Sequence, residues 1–191
     1  MRISGGAARG ISLSVPKGDA VRPATDGMRQ SVFSALASYL PGARFLDLFA
    51  GSGAYGLEAL SRGAEGGVFI EKNAKAVACI HANIAAVCKS LNRSSGGLRV
   101  TQADALAVPV SSGDGTPDLI FIDPPYELIG VIAPALFQRL AERLSAKPEA
   151  LVIFESPGEI ELAPEGWALL KRLGKGARQP TVSIFRRKPP I

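Results

Sequence analysis

The chain has 191 residues, 47% of them apolar and 20% charged, which is enough to bury one core without metals or disulfides and too apolar for a disordered chain. Twenty-two basic against seventeen acidic residues give a net charge of +5. No apolar run reaches the roughly 18–20 residues of a membrane span, and Arg2 is not followed by the apolar core of a secretory signal, so the sequence predicts a cytoplasmic protein with no membrane association.

The charge is unevenly placed. Residues 1–44 carry six Lys/Arg against two acids, residues 45–166 nine against fifteen, and residues 167–191 seven against none. An acidic middle between basic ends predicts a catalytic core whose flanks meet a polyanion, although charge alone does not separate RNA from DNA.

In chain order, residues 1–24 alternate short β-like pieces with Gly and Pro, as in Arg2-Ile3-Ser4-Gly5-Gly6 and Pro16-Lys17-Gly18-Asp19, a pattern that suits a small hairpin. Pro23, Thr25 and Asp26 then open a helix with an apolar stripe of Val32, Phe33, Leu36, Ala37 and Leu40, ended by Pro41-Gly42. Beyond it, short β-rich apolar runs at Phe45–Phe49, Val68–Ile70, Leu119–Ile122 and Leu151–Phe154, with a weaker one at Leu98–Gln102, read as strands covered on both faces. Helical patterns lie between them at Tyr55–Ser61, Ala74–Lys89 and Gly130–Leu144. After Pro157 the alternation stops, and Trp167–Leu173 and Thr181–Arg186 read as an antiparallel hairpin at the sheet edge. The sum is an α/β fold, a Rossmann-like and mostly parallel sheet of seven strands with the hairpin as an N-terminal extension.

Cys79 and Cys88 fall in one helical stretch, about 180° apart around it, so they cannot pair and read as small apolar residues. His81, the one histidine, falls in the same stretch and reads as a helix-surface residue. No metal-ligand spacing is present.

Chemistry concentrates in two turns. The first is Asp47-Leu48-Phe49-Ala50-Gly51-Ser52-Gly53-Ala54-Tyr55-Gly56. Its glycines allow a tight strand-to-helix turn close to a ligand, and Glu71, twenty residues past Gly51, ends the second strand where a carboxylate meets ribose hydroxyls. Taken alone, this pattern equally fits a nicotinamide or flavin dinucleotide. Asp47 lies inside a strand, where a carboxylate is costly without polar partners, and the ammonium of an amino-acid-bearing cofactor is such a partner. Asp104, after the third strand, is placed to accept from an adenine amino group or to cap a helix, whereas Asn73 reads as a helix cap.

The second turn is Asp123-Pro124-Pro125-Tyr126, after the fourth core strand. In a doubly wound sheet the first and fourth strands flank the switch point, so Asp123 is expected to face the glycine loop across one crevice. The prolines stiffen the turn, and the Asp123 carboxylate and Pro124 carbonyl can accept from an exocyclic amine while Tyr126 stacks on its base.

With these residues in hand, the chain resembles the RsmD family of 16S ribosomal RNA (guanine-N2)-methyltransferases. The resemblance spans nearly the whole chain: Arg2–Gly6, Arg9-Gly10, Arg22-Pro23-Ala24-Thr25-Asp26, Asp47–Gly53, Gly56–Gly63, Glu71 and Asp123–Tyr126. It implies S-adenosylmethionine held by Asp47, Phe49, Ala50, Gly51, Ser52, Gly53, Glu71, Lys72, Asp104 and Ala105. It also implies catalysis at Asp123, Pro124, Pro125 and Tyr126, and RNA contact through Arg9, Arg22, Thr25 and Arg29, although Arg29 equally suits a helix surface. The implied protein is a monomer acting on 16S ribosomal RNA or the assembling small subunit, with residues 1–24 as an RNA-contacting extension of a methyltransferase domain at 25–191. Ile11, Ser12 and Gly27 stand where the family usually has basic residues, and Gln30 where it often has Glu, which implies fewer phosphate contacts.

Three other functions compete. Transfer to another RNA, to DNA adenine or to protein glutamine also uses a planar amine, but the DNA adenine and protein glutamine enzymes more often carry Asn in place of Asp123. A non-catalytic RNA-binding protein would not require Gly51, Glu71, Asp123 and Tyr126 together. A dinucleotide oxidoreductase lacks a candidate acid or base beside the loop.

Overall fold

Both faces of the apolar runs are buried, and this sets the architecture. A computed structural model of the chain describes residues 1–16, 26–108, 115–174 and 179–189. Among the described residues seven strands form one sheet: β1 (Arg44–Leu48), β2 (Gly66–Glu71), β3 (Leu98–Gln102), β4 (Leu119–Ile122), β5 (Leu151–Pro157), β6 (Trp167–Leu173) and β7 (Pro180–Arg187). Their order is β3-β2-β1-β4-β5-β7-β6. The first five are parallel, and β7 runs antiparallel between β5 and β6.

Helices α1 (Asp26–Ala35), α2 (Ala54–Ser61), α3 (Ala74–Ser90) and α4 (Ile129–Arg143) cover the sheet. Alternate strand residues serve different layers. Phe45, Phe69 and Phe121 pack with Val32 and Phe33 of α1, Leu57 of α2 and Ile80 of α3. Their neighbours Leu46, Ile120, Ile122, Val152 and Phe154 pack with Leu136, Phe137 and Leu140 of α4. Apolar layers on both sides explain why these strands read as continuous runs.

The chain winds outward through β1, β2 and β3, then returns to the other side of β1, where β4 pairs with Asp47 level with Phe121 and Leu48 level with Ile122. Between β1 and β4 the winding reverses, so the turns after them diverge and leave a crevice.

The N-terminal segment pairs as a hairpin, bridging Arg2 to Ser12, with the Ile3 and Leu13 amides donating to the carbonyls of Ile11 and Met1 at 2.9 and 3.0 Å. It docks on α2: the Ser4 amide and hydroxyl donate to the buried Glu58 carboxylate at 2.8 and 2.7 Å. Ile3, Ala8 and Leu13 join the core beneath.

The first helix differs from its expected extent. It ends at Ala35, and Ala37–Tyr39 tightens into a 3₁₀ turn, closed by the Tyr39 amide on the Leu36 carbonyl at 2.8 Å. The tighter winding keeps Leu36 and Leu40 buried while the chain swings toward β1. Pro23 and Thr25, read as the helix start, lie outside the described residues. The edge hairpin forms as expected, with a register shift between Leu169 and Lys171, and residues 175–178 of its link are also outside the description. Asn73 caps α3, accepting from the amides of Lys75 and Ala76 at 2.9 and 3.2 Å. His81 lies on the exposed surface of α3, and Cys79 and Cys88 are unpaired thiols on the same helix.

Candidate active site at the switch point

The turn after β1 reverses the chain within a few residues by adopting left-handed backbone at Phe49 (φ 60°), Gly51 (φ 54°) and Gly53 (φ 77°). Its glycines have separate tasks. A Cβ on Gly51 would meet nothing within 4 Å, so the backbone there borders open space. A Cβ on Gly56 would lie 2.4 Å from the Phe69 ring and 2.5 Å from that of Phe45, so this glycine lets α2 press onto the sheet. Gly53, expected among the cofactor contacts, packs behind the loop, where a Cβ would be 3.3 Å from Phe69, and serves the turn. Phe49 holds a conformation that costs a residue with a side chain about 1–2 kcal/mol, strain of the kind that gathers at ligand sites.

Two carboxylates define this side of the crevice. Glu71 accepts the Gly51 amide on one oxygen and the Asn73 amide on the other, both at 2.8 Å. It therefore fixes the loop and still borders the cavity. Asp47 is buried to 1% exposure and accepts the Gly56 amide at 3.0 Å. Burial pushes its carboxyl up to about 8, opposed by the Gly56 hydrogen bond and assisted by the charge of Glu71.

The turn after β4 supplies the other side. Asp123 is half-buried, Pro124 buried and Pro125 exposed. Tyr126 begins a short 3₁₀ turn, Tyr126–Leu128, and leaves 39% of its surface open. Burial first, then the charges of Glu155 and Asp47, hold the Asp123 carboxyl well above the usual range. Behind the turn, Glu155 of β5 is only 2% exposed and accepts hydroxyls from Tyr55 at 2.7 Å and Tyr126 at 3.3 Å. Burial pushes the Glu155 carboxyl up, and the two hydroxyls and the Arg29 charge oppose it. Both tyrosine hydroxyls are raised above their ordinary value, by burial and then by Glu155, so they remain donors through ordinary pH.

One cavity of about 800 Å³ is lined by both turns, Asp47, Gly51 and Glu71 on one side and Asp123, Pro124 and Tyr126 on the other. The opposition expected from the sequence is therefore present. Phe49, Ala50, Ser52, Lys72, Asp104, Ala105 and Pro125 border the same space. Asp104 also accepts the Leu106 amide at 2.9 Å, capping its own short turn.

The basic residues are less uniform. Arg9 is exposed on the hairpin and does not border the cavity, and Arg22 and Thr25 lie outside the described residues. Arg29 is not a helix-surface charge: it is 1% exposed. It donates to the Arg2 carbonyl at 2.7 Å and to Asp26 at 2.6 Å, and it borders the cavity from beneath. Three acids offset its desolvation: Asp26 at 2.6 Å, Glu58 at 4.0 Å, and Glu155, whose carboxyl its charge also reaches.

Tyr55, Glu155, Val15 and Pro16 escaped the sequence reading. Val15 and Pro16 border the cavity, carried there because buried Asn83 of α3 exchanges hydrogen bonds with Ser14 while donating to the Ser52 carbonyl at 2.9 Å. Glu155 did leave a signal: it is an acid directly after the apolar run Leu151–Phe154, one position beyond the pair Ile122 and Phe154, hence level with Asp123.

The donor set decides what fits. Asp47, Glu71, Asp104 and Asp123 make the cavity acidic, and the Gly51 amide that a pyrophosphate would use is already given to Glu71. A pyrophosphate would find the Gly51 amide taken and would disfavour the ionised forms of Asp47 and Asp123, whereas a ligand bearing an ammonium and a sulfonium favours them. Fold and site together define an S-adenosylmethionine-dependent methyltransferase with a Rossmann-like sheet.

Residues 1–184 match the family model described as Conserved hypothetical protein 95. The chain is 34% identical over 191 residues to ribosomal RNA small subunit methyltransferase D of Escherichia coli (strain K12), covering 98% of this chain and 90% of that protein. Its identity to the Haemophilus influenzae protein of the same name is 31% over 177 residues, 92% of this chain and 89% of that one. The solved structure of yhhF from Escherichia coli superposes with a TM-score of 0.78 at 32% identity, over 98% of both chains. The chain belongs to the RsmD family of ribosomal RNA methyltransferases.

Proposed function

We propose that this enzyme methylates the exocyclic N2 of one guanine in 16S ribosomal RNA, within the free RNA or the assembling small subunit. The observation that carries the reading is the single cavity shared by the glycine loop and the Asp123–Tyr126 turn. When bound, S-adenosylmethionine would supply an electrophilic methyl on a sulfonium sulfur and leave as the neutral thioether. Asp47 would hold its ammonium, Glu71 its ribose hydroxyls and Asp104 its adenine amino group, with Phe49–Ser52, Lys72 and Ala105 forming the walls.

On the acceptor side, the Asp123 carboxylate and the Pro124 carbonyl accept the two hydrogens of the guanine amine, and Tyr126 lies against the base. Drawing those hydrogens aside takes the nitrogen lone pair out of conjugation and aims it for in-line attack, so positioning supplies much of the rate. The surplus amine proton passes to the Asp123 carboxylate, which already accepts one of the amine hydrogens. Guanine fits because N1–H and the N2 amine both donate from one edge, toward a site rich in acceptors.

Residues 1–24 serve as the RNA-contacting extension of the methyltransferase unit at 25–191, through Arg9, Arg22 and Thr25. Arg29 balances the acids beneath the cavity instead of meeting phosphate. We assign the protein to the cytoplasm as a monomer; among the described residues no helix is long and apolar enough to cross a membrane.

The test is mass mapping of modified nucleosides in 16S ribosomal RNA from cells lacking the protein. One N2-methylguanosine is expected to be missing, restored by the wild-type gene and not by Asp123→Ala, a variant expected to bind S-adenosylmethionine with nearly unchanged affinity. An unaltered nucleoside profile, or methyl lost from adenine or from protein glutamine instead, overturns the assignment.

A further inference from the structure

We propose that Glu155 is a positioning residue for methyl transfer, fastening the ring of Tyr126 on the acceptor side to α2 on the cofactor side through the hydroxyl of Tyr55. The proposal rests on the methyl-transfer reading of the crevice. Each carboxylate oxygen is used once: Tyr55 donates to Oε2 at 2.7 Å and Tyr126 to Oε1 at 3.3 Å.

The two tyrosines differ in what else holds them. Tyr55 is 6% exposed, stacked on Phe121 with ring centres 5.4 Å apart, and sits in the first turn of α2, next to the glycine loop. Tyr126 is 39% exposed and borders the cavity. Its hydroxyl is joined to the rigid sheet by the Glu155 bond, and its ring is the surface on which the base lies.

Glu155 itself stands on β5, where Phe154 pairs with Ile122 on one side and Glu155 with Val182 on the other. Burying a carboxylate there is costly unless its lone pairs are met, and two tyrosine hydroxyls meet them. Glu155 does not border the cavity, so its effect on the reaction passes through the tyrosines. One side chain thus ties together the two turns that must present donor and acceptor, and displacing a reacting group by about 1 Å costs on the order of 100-fold in rate.

The experiment is steady-state methylation, with single-turnover runs to isolate the chemical step, of small ribosomal subunits from a strain lacking the protein, using labelled S-adenosylmethionine. Glu155→Ala is expected to lower kcat about 10- to 100-fold while leaving KM for the subunit and cofactor affinity nearly unchanged. Tyr126→Phe is expected to slow the same step, and the double variant to be no slower than Glu155→Ala, because both changes break one link. Glu155→Gln keeps an oxygen for Tyr126 and is expected to recover most of the rate. If Glu155→Ala does not fold, Tyr55→Phe and Tyr126→Phe carry the same comparison, since each breaks one end of the tie and the double variant is expected to be no slower than the slower single one. An unchanged kcat, or losses that multiply in the double variant, overturns the proposal. Inactive wild-type protein removes the functional reading and this inference with it; active wild type beside an unaffected Glu155 variant removes this inference alone.

Discussion

The backbone amide of Gly51 donates to the carboxylate of Glu71 at 2.8 Å, so the glycine loop and the acid twenty residues downstream form one device. The other Glu71 oxygen holds the Asn73 amide at 2.8 Å. A single carboxylate therefore sets the end of β2, the start of α3 and the shape of the loop above β1.

Glu71→Ala is expected to weaken S-adenosylmethionine binding roughly 10- to 100-fold, the loss for hydrogen bonds to a charged group worth about 1.5–3 kcal/mol. Isothermal titration measures it, and an unchanged dissociation constant would mean that the acid only shapes the loop.

Cofactor affinity is expected to depend on pH through Asp47, whose carboxyl is pushed up to about 8. Below that value the free enzyme holds a proton there, and an ammonium needs the ionised form, so binding releases the proton. Affinity then weakens as pH falls below 8, by up to about tenfold per unit. Titrations in buffers of different ionisation heat count the proton; none released at pH 7 would remove Asp47 from the ammonium site.

Gly56→Ala is expected to destabilise the fold by about 1–3 kcal/mol or more through overpacking, since the new Cβ would press on Phe69 and Phe45 at 2.4 and 2.5 Å. Urea unfolding reads the change. Stability equal to wild type would show that α2 lifts off the sheet at little cost.

RNA affinity is expected to fall steeply with salt if the basic ends meet the phosphate backbone. Four phosphate contacts to single-stranded RNA correspond to roughly 50-fold between 50 and 200 mM salt. Filter binding at a series of salt concentrations gives the slope, and a flat response would discard the phosphate contacts.

The sheet was legible because both of its faces are covered: Leu46 and Leu48 point to one layer and Phe45 to the other, so the strands stand out as unbroken apolar runs. The two functional turns were legible because their residues are adjacent in sequence. Glu155 and Tyr55 were not, since their importance lies in a hydrogen bond across 100 residues of chain. Arg29 misled for the same reason. The sequence shows a basic residue near the start of a helix, but not the Arg2 carbonyl and the acids that the folded N-terminal hairpin and α2 bring to it. The early end of α1 was hidden because a 3₁₀ turn keeps Leu36 and Leu40 at helix-like spacing.

The placement of β7 between β5 and β6 has a consequence for biosynthesis. Among the described residues β6 pairs with β7 alone, and it emerges from the ribosome first, so it must wait unpaired while β5 keeps an open, apolar edge. The nascent domain is therefore sticky until its final strand slots in, and premature termination between residues 157 and 180 should yield an aggregation-prone fragment, not a smaller enzyme.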